Sequence, residues 1–217
     1  METPRPSGDA HARAYEDAFV ETFEALARGD AGPLDRHFAR EGLTPPRIVW
    51  EPAREALPDD AILRAAHAYW DRIRGRHLLP DWCDFHAEDL GVDIVHLAVV
   101  DPIPGTNDFR FAVYGSAVSD ASLRDYRGET VREMALRAGT PLPILYRVVY
   151  ALARQRRSPA YTWSVAPPWQ PVLAWNRLVL PFAHADDLRF LVCLRGEGKR
   201  DVPEDDVRAA AARLAKD

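Results

Sequence analysis

The sequence predicts an α+β protein: one five-stranded antiparallel sheet, a helical crossing between its second and third strands, and helices at both ends. Three observations carry this. Short apolar or alternating segments cluster between residues 92 and 195, separated by turn-forming residues at hairpin spacing. A helical repeat from Pro141 to Arg156, with Leu145, Val148, Val149 and Leu152 on one stripe, interrupts them. Further amphipathic repeats precede and follow the strands, an order that makes one sheet with helices gathered on a face.

Taken in order, Tyr15, Ala18, Phe19, Phe23 and Leu26 recur at helical spacing from Ala12 to Arg28, and Gly29 stops the helix. A shorter helical piece follows through Leu34 and Phe38. The proline-broken stretch TPPRIVWEPAREALP reads as a connector with a brief extended Ile48-Val49-Trp50. Asp59-Asp60 opens a second amphipathic helix, with Ile62, Ala66, Tyr69, Trp70 and Ile73 on one face and Gly75 as its end. VDIVHLAVVDPI is a nearly continuous apolar run, as expected of a strand buried on both faces. PGTND turns it into DFRFAVYG, after which helical turns are expected around Ala117 to Leu123 and Thr130 to Leu136. AYTWSV, PVLAWNRLVLPF and LRFLVCLR are the last three strands, with PPWQ and HADD as turns. A final helix from Pro203 puts Val207, Ala210, Ala211 and Leu214 on one stripe. The expected units are a helical extension and connector at 1–57, a domain at 58–200 with its sheet core at 92–195, and a C-terminal helix at 201–217.

Composition narrows the function classes. The 217 residues are 47% apolar, enough for a sizeable core, and 28 basic against 33 acidic residues leave a net charge of −5. The one tight basic run, Arg154-Gln155-Arg156-Arg157, reads as the solvated end of a helix, so no nucleic-acid partner is expected. No apolar run approaches the roughly 20 residues a membrane span needs, and the N-terminal METPRPSGDAHARAYED lacks an apolar signal core. Cys83 and Cys193 do not make a disulfide framework, which points to a cytoplasmic location.

The motifs of familiar catalytic sites are missing. There is no G-x-S-x-G elbow, Walker loop, H-E-x-x-H or G-x-G-x-x-G, and Ser116 follows a glycine without a second glycine behind it. Cys83 and His86 stand three apart, but a structural zinc needs four ligands and no second pair has suitable spacing. The expectation is a protein without catalytic output.

Six segments together resemble the PAS domain family, specifically small bacterial stand-alone PAS-like proteins with a tryptophan-bearing helix ahead of the sheet. They are YWDRIRGRHLLP (69–80), DFHAEDL (84–90), HLAVVD (96–101), DFRFAVYGSAV (108–118), YRGETV (126–131) and RLVLPFAHADD (177–187). Family members usually carry Gly-Thr where this chain has Gly115-Ser116. The resemblance covers about residues 60–195 and implies a sensor or interaction module with a ligand cavity between the sheet and its helices. Flavin adduct chemistry of that family needs a cysteine in the crossing, and residues 115–157 have none. Its haem binders use a histidine on the long helix, and none lies between His96 and His184. The cofactor is unknown.

Residues expected to line such a cavity are Phe111, Val113, Met134, Tyr146, Val149, Tyr150, Trp163, Trp175 and Arg177. Arg177 beside Trp175 is suited to bidentate capture of a carboxylate, unless it faces water and the aromatics are plain core. The expected function is a sensory or regulatory protein that binds a small apolar or acidic ligand, and pairs as a homodimer or with a regulatory partner. A ligand-free interaction module is the alternative, and an enzyme on a cone-shaped α+β fold a third.

Overall fold

Nearly continuous apolar runs in the last third of the chain, residues 178–182 and 190–194, build the centre of the sheet, buried on both faces. A computed structural model describes residues 8–215; Met1–Ser7 and Lys216–Asp217, the outermost parts of the expected N-terminal extension and C-terminal helix, lie outside the described residues. The described chain runs α1 (Gly8–Ala27), α2 (Gly32–Arg40), β1 (Arg47–Trp50), α3 (Ala61–Arg74), β2 (Leu97–Pro102), β3 (Phe109–Tyr114), α4 (Ser116–Ser122), α5 (Val131–Ala138), α6 (Leu142–Arg156), β4 (Ala160–Val165), β5 (Ala174–His184), β6 (Asp187–Glu197) and α7 (Glu204–Leu214).

One antiparallel sheet has the order β1-β4-β5-β6-β2-β3. The expected α+β class is present, with the helical crossing between β3 and β4. The strand count is six rather than five. The additional strand is β1, which pairs with β4 from Arg47↔Trp163 to Trp50↔Ala160. Four residues between prolines carry too little periodicity to be read as a strand; the pairing partner supplies the order.

Because paired residues on neighbouring antiparallel strands point to the same side, the register sorts the sheet's two faces. Thr162, Arg177 and Leu194 share one face. Trp163, Asn176 and Arg195 share the other. α6 covers the first: the Tyr150 ring stacks on Phe190 at 5.8 Å, and Phe109 meets both rings edge-on. α3 covers part of the second. There Trp70 Nε1 donates to the Pro181 carbonyl at 2.7 Å, and Trp82 and Phe85 pack edge-on against Phe182. The Asp60 carboxylate begins α3 by accepting from the Ile62 and Leu63 amides at 3.0 Å, as an N-cap should. The buried member of this helix's first turn is Leu63, not Ile62, which is half-buried. The long apolar run also begins differently: Ile94–His96 is a single 3₁₀ turn, and the strand proper starts at Leu97.

The first helix does not lie against the sheet. α1 lies on α6, forming a third layer outside the helices that cover the sheet. Arg147 explains the choice. It is 5% exposed on α6, donates to both Glu16 carboxylate oxygens at 2.9 and 3.0 Å and to the Asn107 carbonyl at 2.8 Å, and sits 3.9 Å from the Phe19 ring centre. A buried guanidinium of this kind demands a carboxylate, and α1 brings it. The basic run at the end of α6 is exposed from Gln155 to Arg157, yet Arg154 pairs with Asp187 at the β5–β6 turn and Arg156 caps the Trp50 ring at 4.2 Å.

Gly115 joins β3 to α4 with ordinary extended backbone, φ −65° and ψ 149°. Left-handed freedom is not what the position requires. A Cβ here would overlap the Val95 carbonyl oxygen and lie 2.8 Å from the Leu97 carbonyl oxygen, while the Gly115 amide donates to Leu97 O at 2.8 Å. The strand turns into the helix at a point where two backbones touch.

Candidate functional site

On the helix-covered face, the ends of β5 and β6 and the N-terminal half of α6 leave a space unfilled. It amounts to ≈ 430 Å³ counted with its mouth. The sheet supplies Tyr114, Trp175, Arg177 and Leu194, and the helices supply Val118, Met134, Leu142 and Tyr146. Tyr126, Thr140 and the loop from Pro167 to Gln170 add to the wall.

Of the nine residues expected at a cavity, the structure brings four to this one: Met134, Tyr146, Trp175 and Arg177. Phe111 and Tyr150 stand behind the lining on the same face. Phe111 meets the Tyr114 ring at 5.3 Å, and Tyr150 is packed between Phe109 and Phe190. Val149 is fully enclosed in α6 and is not among the lining residues. Val113 is 47% exposed and pairs with Val99, on the face away from α6. Trp163 also points to that face, half-buried, and donates from Nε1 to Glu197 at 3.0 Å.

The lining that the sequence did not mark out comes from turns. Pro167 to Gln170 looked like a plain hairpin connection. It is held inward by Arg200, which donates to Pro167 O at 2.6 Å, and by Trp175, whose Nε1 donates to Gln170 Oε1 at 2.7 Å. Trp169 of the same loop carries the Arg213 guanidinium of α7 over its ring at 5.4 Å. Tyr114 donates to Ser122 Oγ at 3.4 Å, and that hydroxyl donates to the Val118 carbonyl at 2.7 Å, which ties α4 to β3 at the cavity edge.

Arg177 is the unusual member. It is 5% exposed, and its guanidinium carbon lies 3.4 Å from the Tyr146 ring centre. Its Nε is buried with no hydrogen-bond partner. The titratable groups that act on it are the phenols of Tyr146, Tyr150 and Tyr114, and no carboxylate is among them. Arginine keeps its charge throughout the pH range of folded proteins. The cavity wall therefore carries one fixed positive charge, softened by a cation–π contact and left without a counter-ion.

Burial dominates the tyrosines around it. It pushes Tyr150 up to about 12 against the pull of Arg177, and Tyr126 up to about 12 against the pull of Arg124. Tyr114 is raised further. Cys193, enclosed in β6, is likewise pushed up to about 12 by burial. The consequence for stability has a definite sign. Below their ordinary values, 10.0 for the phenols and 9.0 for the Cys193 thiol, these groups are protonated whether the chain is folded or not, and their contribution is complete. Above them, the unfolded chain releases protons that the fold retains, so stability falls as pH rises toward 12, by about 1.4 kcal/mol per pH unit for each such group. Tyrosinate absorbance should therefore appear together with loss of circular dichroism in an alkaline titration. Smooth ionisation near pH 10 with the fold intact would contradict this burial.

No described helix is long and apolar enough to cross a membrane. Comparison of the chain with protein-family models, curated proteins and solved structures found no match.

Proposed function

We propose that this chain is a PAS-type sensory or regulatory protein that takes a small molecule into the cavity between its sheet and α6, and acts by contact with a second copy or a partner protein. The observation that supports this reading is Arg177: a charged side chain, buried, held by the Tyr146 phenol but without a carboxylate, its Nε unpartnered, on the wall of a space with an open mouth. Burying a charge without a partner is costly, and proteins keep such an arrangement where a ligand completes it. The location agrees with the cavity that the family resemblance implies. Among the described lining residues there is no Asp, Glu, His, Cys or Lys to act as general base or to activate the Ser122, Thr140 and tyrosine hydroxyls, which favours binding over catalysis.

Native mass spectrometry of freshly purified protein, set against its denatured mass, tests the reading. The expected result is an additional small mass lost on denaturation, or one gained when small molecules are supplied. A clean apoprotein mass that no added compound changes would point instead to a ligand-free interaction module.

A further inference from the structure

Resting on that reading, we infer that the molecule held in the cavity is a small monocarboxylate with a compact apolar body, its carboxylate seated on Arg177. Three observations set the class. The first is charge. Among the described residues Arg177 is the only ionised side chain in the lining, so a ligand with one negative charge brings the site to neutrality, whereas a dianion leaves one charge uncompensated and a neutral molecule leaves Arg177 as it is. The second is geometry. The face of the guanidinium is occupied by Tyr146, which leaves its edge for an acceptor, and Nε has none. An arginine edge matches a carboxylate through two parallel hydrogen bonds. Thr140 adds a second buried, unpartnered polar atom, its Oγ1, to the same wall.

The third is size and polarity. The whole space, ≈ 430 Å³ counted with its mouth, is at the small end of ligand pockets. For the body of the ligand, Met134, Leu142, Trp169 and Tyr126 offer apolar and aromatic surface in the same lining. Phosphate and sulfate esters fit less well, because a second negative charge or a third oxygen would meet phenols and a thioether rather than further cations.

The test begins with any compound that leaves the purified protein on denaturation. A monocarboxylic acid is the expected identity, and a neutral or cationic compound would overturn the inference while leaving the cavity reading intact. If the protein is empty, benzoate, benzamide and phthalate serve as probes in thermal-shift and calorimetric titrations. Benzoate should bind about ten- to a hundredfold more tightly than benzamide, the ratio expected of a charged hydrogen-bonded pair, and phthalate should be the weaker of the two anions. Arg177→Met should lose the preference for benzoate over benzamide. Arg177→Lys, which keeps the charge without the planar fork, should retain it in weakened form and guards against a folding defect in the first variant. Equal binding of benzamide and benzoate would overturn the inference and spare the proposed function. Binding of neither, together with a clean apoprotein mass, would remove both.

Discussion

Phe190→Ala should lower stability by about 3 to 5 kcal/mol. Phe190 is fully enclosed on β6, a strand with neighbours on both sides, and its ring is the meeting point of the sheet with α6. It stacks on Tyr150 with an angle of 25° between planes and stands edge-on to Phe109 at 6.0 Å. Truncation to Ala removes the apolar burial and leaves a hole that Tyr150 and Phe109 can close only by leaving their own positions. Chemical denaturation of the two proteins should show a shifted midpoint with an unchanged slope. A loss below about 1 kcal/mol would mean that the helix and sheet are not packed through this ring.

Gly115→Ala should cost about 3 kcal/mol or more, the upper end for overpacking, although alanine is intrinsically at ease with the backbone angles there. The added methyl meets backbone on both sides, the carbonyls of Val95 and Leu97, and backbone cannot rotate out of the way as a side chain would. Relief requires moving β3 away from the turn before β2, and the Gly115 N–H to Leu97 O hydrogen bond is then lost. The neighbouring Ser116→Ala, at an exposed position, is the control and should change stability by less than about 0.5 kcal/mol. Equal melting of the two variants would remove the close approach as the reason for glycine.

Much of this architecture was legible because its signals are local. The HADD turn forms as read, joining β5 and β6 in a hairpin from His184↔Asp187 to Ala174↔Glu197. α6 spans Leu142–Arg156 against an expected Pro141 to Arg156, since its apolar stripe and basic end are complete in themselves. What escaped depends on partners distant in sequence. β1 has four residues and acquires order only from β4. Arg147 gave no sign of burial, because its acceptor Glu16 lies 131 residues away. At the cavity the difficulty was parity. Trp163 and Trp175 are both strand tryptophans, and nothing local says that the β4–β5 register pairs Trp175 with Ser164 and so sends Trp163 to the opposite face. Arg177 follows the same parity inward. Whether it faced ligand or water was open in the sequence, and its 5% exposure resolves it against water.

The pairing of β1 with β4 also orders events in time. Arg47 and Trp163 are partners separated by 116 residues (163 minus 47), and the Glu16–Arg147 contact is longer still. During synthesis at roughly 5 to 20 residues per second, β1 waits about 6 to 23 s before the residue it pairs with has even been made. α1 meanwhile has its apolar stripe and no α6 to cover it. Contacts of such span close late and slowly, so α1 remains without its partner at least until residue 147 has been made, and β1 until residue 163.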